Sequence, residues 1–509
     1  MRHILLCIFF VLPLLAQEPA RFTDPDRAAK VKATAGVVEG IFREFWKNGH
    51  MPGFVYGVVL DGELVYSGEF GYANLEKDIL ADSKSLFRIA SMSKSFTALS
   101  ILQLRDAGKL DLDDPVATYI PEVKNIRHIF ADAPDITIRH LLTHGAGFPE
   151  DNPWGDRQLA DTDAELRKLM ADGPSFSNVP GVAYEYSNVG FALLGQVVQV
   201  VSGMEFQEYT KKHIFDPLGM TSTVWEFTGA PAEKLALGYN WLDDAYVNIP
   251  LEHHGSYGAM GGLITSIEDL SRYVAMHLSA WPPRSDEDVA PLRRSSLREM
   301  HHPWRFGRMN TNYRYPNGRE CAVASAYCYG LGWTQDCEGK VTVGHSGGLP
   351  GFGSNWTMMP QYGLAVMSFD NRTYGGTSYF NIGVLDTILV MTGLERMDLP
   401  PSEILRKRQD QLAAIVPTWE GAEVSGLFAE NFFLDNRIRD LKKRSHDLFE
   451  QAGKIMNIKK IVPENQLRGT FVMEGEKMNI RVFFTLTPEK EPMIQQVRIR
   501  VVGKQNPND

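Results

Sequence analysis

The sequence predicts an α/β (α+β) fold in which one sheet is assembled from segments that lie far apart in the chain. Strand-like runs occur over residues 54–66 and again over residues 341–369. Residues 91–280, in contrast, carry mostly helical patterns separated by glycine, proline, aspartate and asparagine. Paired prolines at positions 400 and 401 end this arrangement. The 509 residues, 44% of them hydrophobic, are enough for one large core and a second, smaller one.

The first residues have the pattern of a secretory signal. Arg2 precedes an apolar run over residues 4–15, which is too short to span a bilayer, and Ala16 then precedes polar residues. We expect residues 1–16 to be a signal peptide, so that the mature protein is periplasmic or secreted. Cys7 lies inside the apolar run, which argues against a lipid-anchored protein. No stable membrane anchor is therefore expected.

The start of the mature chain predicts a helix and then a hairpin. Residues 31–48 carry apolar side chains at helical spacing. Residues 54–60 and 63–66 are rich in β-branched and aromatic residues. The intervening Asp61-Gly62 is typical of a two-residue turn between antiparallel strands.

Strand patterns return after residue 340. Residues 341–343, 355–359 and 364–369 are short apolar runs separated by glycines and a proline-containing turn, and residues 381–394 predict a helix. Strands at both ends with helices between them indicate one sheet built from distant segments. We therefore expect a first domain over residues 27–397.

The remaining residues, 405–509, predict a small α+β accessory domain. Leu399-Pro400-Pro401 marks its boundary, because paired prolines cannot continue the preceding helix. Residues 438–452 carry one apolar helical face, and residues 497–501 alternate between apolar side chains and arginine, as in a half-exposed strand. This part of the sequence offers no set of catalytic residues.

Charge and cysteine content disfavour several classes of protein. The chain has 52 basic and 62 acidic residues, a net charge of −10, and no long basic run, which argues against nucleic acid or anionic membranes as partners. Export would leave Cys321, Cys328 and Cys337, which permits one disulfide and one free thiol without indicating the pair. A zinc site would need more soft ligands nearby, so neither a metal nor an organic cofactor is expected.

Ser91 and Lys94 carry the strongest chemical implication. A Ser-x-x-Lys pair that leads into a helix places both side chains on one face, one turn apart. An amine beside a serine hydroxyl can take its proton during attack on a carbonyl. The start of a helix disfavours a protonated lysine, so a lowered Lys94 pKa is expected. Such pairs are common on solvated helices, but the flanking Phe87 and Phe96 argue against simple solvation here.

Two later motifs could complete a site around this pair. Tyr186-Ser187-Asn188 offers a phenol that can relay protons and an amide that can hold a lysine or a substrate carbonyl. His345-Ser346-Gly347-Gly348 follows a predicted strand, and its glycines would let a substrate backbone approach and leave an N–H group for an oxyanion. Taken alone, each motif also fits an ordinary turn or a glycine-rich hairpin.

In this order, Ser-x-x-Lys, Tyr-x-Asn and His-x-Gly resemble the serine β-lactamase and penicillin-binding-protein-like family, in particular its class C, esterase and D-alanyl-D-alanine-peptidase-like branch. Supporting matches lie at residues 108–115, 138–144, 261–266 and 329–333. The resemblance implies a β-lactamase-like fold, a mostly antiparallel sheet flanked by helices, with a helical subdomain inserted after Ser91. It also implies a substrate with an acyl carbonyl, either a small molecule or a peptide.

The same resemblance assigns roles to individual residues. Ser91 would be the acylated nucleophile, Lys94 its activating partner and Tyr186 the general base and acid. Asn188 would orient Lys94 and the substrate. The backbone N–H groups of Ser91 and of Gly348, next to Gly347, would form the oxyanion hole. His345 stands where many relatives carry lysine, and a neutral imidazole is a weaker anchor for a substrate carboxylate.

Two other interpretations compete with an acylating hydrolase. Gly344-His345-Ser346-Gly347-Gly348 also fits Gly-x-Ser-x-Gly, which would make Ser346 the nucleophile of an α/β-hydrolase, although the following residues 349–353 do not favour the required helix. Alternatively, the protein could be a penicillin-binding sensor that acylates and deacylates slowly. Whether the substrate is an ester, a D-amino-acid peptide or a β-lactam is not decided by these residues.

Overall fold

The computed structural model describes residues 18–288 and 291–504, and the predicted signal peptide, residues 1–16, lies outside them. The chain divides into two compact units. The larger consists of residues 24–396, and the smaller of residues 397–504 together with 18–23. Each unit has its own sheet and its own hydrophobic core.

The larger unit alternates long sheet strands with helical layers. Its strands are β1 (Gly53–Leu60), β2 (Glu63–Asn74), β3 (Ile79–Leu80), β4 (Phe87–Arg88), β5 (Gly238–Leu242), β6 (Ala245–Ile249), β7 (Ile264–Thr265), β8 (Arg305–Asn310), β9 (Val323–Tyr327), β10 (Gly332–Asp336), β11 (Val341–Leu349), β12 (Phe352–Met359) and β13 (Leu364–Asp370). Its helices are α1 (Arg27–Lys32), α2 (Ala35–Asn48), α3 (Ser93–Asp106), α4 (Ile138–Leu142), α5 (Asp163–Asp172), α6 (Asn188–Ser202), α7 (Phe206–Thr210), α8 (Asp216–Leu218), α9 (Gly258–Gly261), α10 (Ile267–Ser279), α11 (Arg294–Met300) and α12 (Ser378–Thr392).

Within the described residues, nine strands form one antiparallel sheet in the order β3-β2-β1-β13-β12-β11-β10-β9-β8. β1 pairs with β13, so that Phe54 lies opposite Asp370 across more than 300 residues of sequence. The predicted sheet of distant segments is therefore present. β1 is buried along its whole length, as expected for a strand in the middle of a sheet.

Apolar side chains of the sheet face two cores on opposite sides. On one face, Val55 and Val59 of β1 pack in a cluster with α3, α6 and α10. On the other face, Phe54 and Val58 pack with α2 and α12. Because alternate residues of a strand point to opposite faces, β1 needs consecutive apolar residues to fill both cores.

Local predictions for this unit are confirmed in part. Asp61 and Gly62 both have positive φ angles, 53° and 87°, as a two-residue hairpin turn requires. The single helix predicted over residues 31–48 is wrong at its start, because the helix is interrupted between α1 and α2. There Thr34 Oγ1 donates a hydrogen bond to Val31 O at 2.7 Å. The strand predicted over residues 341–343 is too short, since β11 continues through the glycines.

The disulfide pairing, which the sequence does not indicate, is Cys321–Cys337, and Cys328 is a buried free thiol.

Among the described residues, no individual helix reaches the length and hydropathy of a membrane span. The bent pair Asn188–Ser202 and Phe206–Leu218 reaches this length and hydropathy when its two helices are taken together.

The smaller unit is itself a mixed helix and sheet structure. Its elements are α13 (Glu403–Ile415), α14 (Phe432–Asp435), α15 (Ile438–Ala452), β14 (Ile455–Ile458), β15 (Val462–Asn465), β16 (Arg468–Gly475), β17 (Asn479–Leu486) and β18 (Ile494–Val502). The strands pair in the order β14-β16-β17-β18, with β15 also on β16. The apolar face of α15 packs on this sheet, around the buried Trp419.

Candidate active site

Ser91 lies in a 3₁₀ turn directly before α3, so it precedes the α-helix instead of belonging to it. The preceding Ala90 has a φ of 49°, a conformation that non-glycine residues rarely adopt and that costs about 1–3 kcal/mol. Ser93 Oγ donates to Ala90 O at 2.7 Å, and Ser354 Oγ donates to Ile89 O at 2.8 Å. Helix and sheet together hold this strained turn in place.

Lys94 is fully buried and its amine is surrounded by three polar atoms. Nζ lies 2.7 Å from Asn188 Oδ1, 3.0 Å from Met260 O and 2.9 Å from Ser91 Oγ. The first two atoms can only accept hydrogen bonds. A neutral amine has two hydrogens and one lone pair, so both hydrogens are used on Asn188 and Met260. The lone pair is left for the hydroxyl of Ser91.

Burial lowers the pKa of Lys94 to about 7, because the charged form loses its hydration there. Asp156, Asp151 and Glu150 act in the opposite direction and raise this pKa by favouring the ammonium form. A large fraction of Lys94 is thus a free amine near neutral pH. Such an amine can accept a proton from Ser91 without any other base.

Asn188 is fixed by the start of α6. Its backbone N–H donates to Asp151 Oδ1 at 2.6 Å, and that of Val189 donates to Asp151 Oδ2 at 2.9 Å. The Asp151 carboxylate therefore caps the helix where its dipole favours negative charge. The Asn188 side chain donates from Nδ2 to Asn152 Oδ1 at 2.7 Å, which turns its Oδ1 toward Lys94.

Tyr186 packs over the reacting pair. Lys94 Nζ lies 4.9 Å from the centre of the Tyr186 ring, and the phenol is hydrogen-bonded to Ser91. Burial raises the Tyr186 pKa well above its usual value, although the hydrogen bond with Ser91 lowers it in part. Tyr186 consequently stays protonated at neutral pH, whereas a large fraction of Lys94 is then unprotonated. This favours Lys94 as the first proton acceptor and Tyr186 as a proton relay.

His345 lies in β11, and the centre of its ring is 6.4 Å from that of Tyr186. Its Nδ1 is 2.5 Å from Ser346 O, which can only accept, so Nδ1 carries the hydrogen. Its Nε2 then accepts from Tyr327 OH at 2.9 Å. Burial, together with the nearby Lys94, lowers the His345 pKa to about 3. His345 is therefore a neutral side chain and supplies no positive charge to a substrate.

Gly347 and Gly348 let β11 approach the Ser91 turn. A Cβ atom on Gly347 would lie 2.2 Å from Ile89 O and 2.9 Å from Ala90 Cβ. A Cβ atom on Gly348 would lie 2.8 Å from Tyr374 Cδ1. No side chain fits in either space, so the strand backbone itself reaches the candidate nucleophile. The oxyanion role of the Gly348 N–H group stays a prediction.

His144 belongs to the site but was not predicted as part of it. Its Nδ1 accepts from Ser187 N at 3.1 Å, and its ring lies 4.3 Å from that of Tyr186 and 4.4 Å from that of Tyr327. Burial lowers its pKa well below the usual value. The residue therefore supports Tyr186 as a neutral packing partner. One sequence signal was its position in the matched segment 138–144.

Ser346 does not occupy a nucleophile elbow. It lies inside β11, opposite Asn355 of β12, and β11 turns directly into β12. An elbow needs a strand that leads into a helix. The α/β-hydrolase interpretation is therefore wrong for this chain.

A cavity of about 490 Å³ opens beside Tyr186. Its lining is rich in aromatic and hydroxyl side chains: Tyr184, Tyr186, Ser325, Tyr327, Trp333, Thr334, Thr342, His345, Ser346, Asn355, Thr357 and Ser378 are among them. Within residues 18–288 and 291–504, no group of three histidine, cysteine, aspartate or glutamate side chains is arranged to hold a metal ion.

The Beta-lactamase family model matches residues 38–384, which include every residue of this site. The chain belongs to the beta-lactamase family. The match covers the sheet, the helical layers and the Ser91 turn, and it ends within α12.

Curated relatives in this family are similar over a part of their length. "Protein flp" of Staphylococcus aureus strain MW2 is 27% identical over 345 residues, which is 66% of this chain and 63% of that protein. "Beta-lactamase-like protein 2" of Dictyostelium discoideum is 30% identical over 257 residues, 48% of this chain and 46% of that protein. The chain thus spans less than two thirds of the relatives' own length.

Solved structures share the fold. The octameric penicillin-binding protein homologue from Pyrococcus abyssi aligns with a TM-score of 0.58 at 22% identity, over 91% of this chain and 99% of that one. The beta-lactamase/D-alanine carboxypeptidase from Pseudomonas syringae aligns with a TM-score of 0.55 at 21% identity, over 70% and 98%. The predicted β-lactamase-like fold is confirmed.

Proposed function

We propose that this protein is an exported serine hydrolase that works through an acyl-enzyme on Ser91. Its substrates would carry an ester, an amide such as a D-Ala peptide, or a β-lactam. The observation that carries the proposal is the buried amine of Lys94, 2.9 Å from Ser91 Oγ, with a pKa lowered to about 7. A surface lysine with an ordinary pKa could not serve as the base at neutral pH.

The first step transfers the Ser91 hydroxyl proton to Lys94 Nζ while Oγ attacks the substrate carbonyl. The lone pair that faces Ser91 is the acceptor, and Asn188 keeps the amine in position. The resulting oxyanion would be held by the N–H groups of Ser91 and Gly348. Departure of the leaving group needs a proton, which Lys94 can return through the Tyr186 phenol. Water then releases the acyl group by the reverse sequence.

The neutral state of His345 affects which substrates the site can bind. Because its pKa is lowered to about 3, it offers no charge for the carboxylate that many β-lactams and peptides present. Arg308 also lines this cavity, but His345 itself could hold such a carboxylate only through hydrogen bonds. We therefore expect ester hydrolysis to exceed the turnover of β-lactams and of peptides that present this carboxylate.

A second candidate is a sensor that acylates but deacylates slowly. It is favoured by the raised pKa of Tyr186, because a protonated phenol cannot act directly as a base toward the deacylating water. Both candidates share the acylation step. They differ in the lifetime of the acyl-enzyme.

Intact-mass spectrometry after incubation with a fluorophosphonate or a reactive β-lactam tests the proposal. We expect one adduct that maps to Ser91, that is absent from Ser91→Ala and that is retained in Ser346→Ala. An adduct that maps elsewhere, or none with either reagent, would overturn it. With the β-lactam, an adduct that decays within minutes supports the hydrolase, and one that persists for hours supports the sensor.

A further inference from the structure

Tyr374 is held against the strand that carries Gly348. It follows β13 in the chain, and its backbone N–H donates to Leu349 O at 3.3 Å, at the end of β11. Its φ of 52° is unusual for a bulky residue and turns its ring onto the Gly348 backbone. The ring thus lies next to the predicted oxyanion donor, on the sheet side of the site.

The hydroxyl of Tyr374 reaches across to the helical side. It donates to Asp156 Oδ2 at 3.1 Å, and the Asp156 side chain is buried, with 3% exposed. The neighbouring Gly155 contacts Asn188, because a Cβ atom on Gly155 would lie 2.8 Å from Asn188 Cβ. Tyr374 therefore links the sheet to the segment that supports Asn188.

These contacts form a closed ring around one side of Ser91. In order, the ring contains Ser91, Lys94, Asn188, Gly155, Asp156, Tyr374, Gly348, Gly347 and Ala90. Each neighbour in it is bonded or in contact with the next. The ring therefore limits the size of a substrate group that binds on this side of Ser91.

The other side of the site is open. The cavity of about 490 Å³ begins at Tyr186 and His345, and neither Tyr374 nor Asp156 lines it. Tyr186 is also the residue placed to pass a proton to a leaving group. The large space is consequently on the leaving-group side, and the closed ring is on the acyl side.

We infer that the Tyr374–Asp156 contact is a wall that restricts the acyl group, so that the substrates are esters or amides of short-chain acids with larger leaving groups. This inference rests on the proposed acyl-enzyme at Ser91. It adds Tyr374 as a specificity-determining residue. Tyr374 is 44% exposed, but its ring packs against Gly348 and its hydroxyl is bonded to Asp156. A longer acyl chain would therefore have to displace packed atoms, which discriminates against added methylene groups.

The test compares kcat/KM for p-nitrophenyl acetate, butyrate, hexanoate and octanoate. For the unmodified protein we expect a fall of at least about 30-fold from acetate to octanoate. Tyr374→Gly, which suits the positive φ, should raise the octanoate-to-acetate ratio at least about tenfold. Tyr374→Asn, a small residue that tolerates the same backbone conformation, should do likewise if the glycine variant folds poorly.

A matched control is Tyr379→Ala, since Tyr379 is similarly exposed, 42% against 44% for Tyr374, but bonds only to Arg314 O among the described residues. It should leave the ratio unchanged. A flat chain-length profile in the unmodified protein, or an unchanged ratio in both Tyr374 variants, would overturn the inference. If Ser91 is labelled by a fluorophosphonate or a β-lactam but no ester is hydrolysed, this inference fails and the proposed function stands. If neither reagent labels Ser91 in intact-mass spectrometry, the proposed function itself fails.

Discussion

Lys94 Nζ and Asn188 Oδ1 are 2.7 Å apart, and this contact determines which way the buried amine can react. Asn188 Oδ1 takes one hydrogen of the amine and Met260 O takes the other. The lone pair then faces Ser91.

Replacement of Lys94 by arginine should not preserve activity. A guanidinium stays protonated at all working pH values, so it cannot accept the Ser91 proton. We expect the acylation rate of Lys94→Arg and Lys94→Met to fall by at least about 10³-fold, in line with loss of a general base and its positioning. Stopped-flow acylation measures this, and circular dichroism checks the fold. A rate within tenfold of the unmodified protein would show that Lys94 is not the base.

Asp151 should matter for both stability and acylation. Asp151→Ala removes the acceptor for the N–H groups of Asn188 and Val189, which we expect to cost about 1–2 kcal/mol of unfolding free energy. It should also slow acylation, because Asn188 loses its anchor. The control is Thr162→Ala, which removes the cap of α5 away from the site. That variant should lose similar stability in urea unfolding and keep its acylation rate; slowed acylation in both would point to a general effect of destabilisation.

Asp156→Asn should shift the pH dependence of acylation toward lower pH. The Asp156 carboxylate raises the Lys94 pKa by stabilising the ammonium form, so its removal lowers that pKa. Asparagine can still accept from Tyr374. The surface change Asp172→Asn, at an exposed pair with Lys168, is the control and should cause no shift. An inflection that stays in place or moves to higher pH in Asp156→Asn would contradict the assignment.

Asp370 should make the fold less stable as pH rises. It is fully buried, and burial raises its pKa to about 7. The folded state then binds a proton that the unfolded state releases near pH 4, so stability falls between about pH 4 and pH 7, by up to about 4 kcal/mol. In Asp370→Asn this fall should disappear from urea unfolding at pH 5 and pH 8. An identical fall in the variant would place the titrating group elsewhere.

Local parts of the fold could be predicted from sequence because their causes lie within a few residues. The Asp61-Gly62 turn needs only two positive φ angles, and both are present. Ser91 and Lys94 are three residues apart, so one helical turn brings them together. The strand over residues 364–369 was visible because five of its six residues are apolar.

Other parts of the site could not be predicted because they depend on contacts between distant segments. Asp151 caps a helix that begins 37 residues later, and Tyr374 bonds to Asp156 across 218 residues. The neutral state of His345 depends on its burial and on nearby Lys94. No local sequence pattern distinguishes such residues, because an aspartate or a tyrosine in a loop is common. Only the fold brings them to Ser91.

The most direct test of the account is the rate of Ser91 acylation by an uncharged fluorophosphonate between pH 5 and pH 9. Because the Lys94 pKa is lowered to about 7, we predict a rate that rises with pH through a single inflection near pH 7 and then levels off. Below that pH the rate should fall about tenfold per unit, as the amine becomes protonated. A rate that is independent of pH over this range, or one that still rises steeply at pH 9 without levelling off, would contradict Lys94 as the base that activates Ser91.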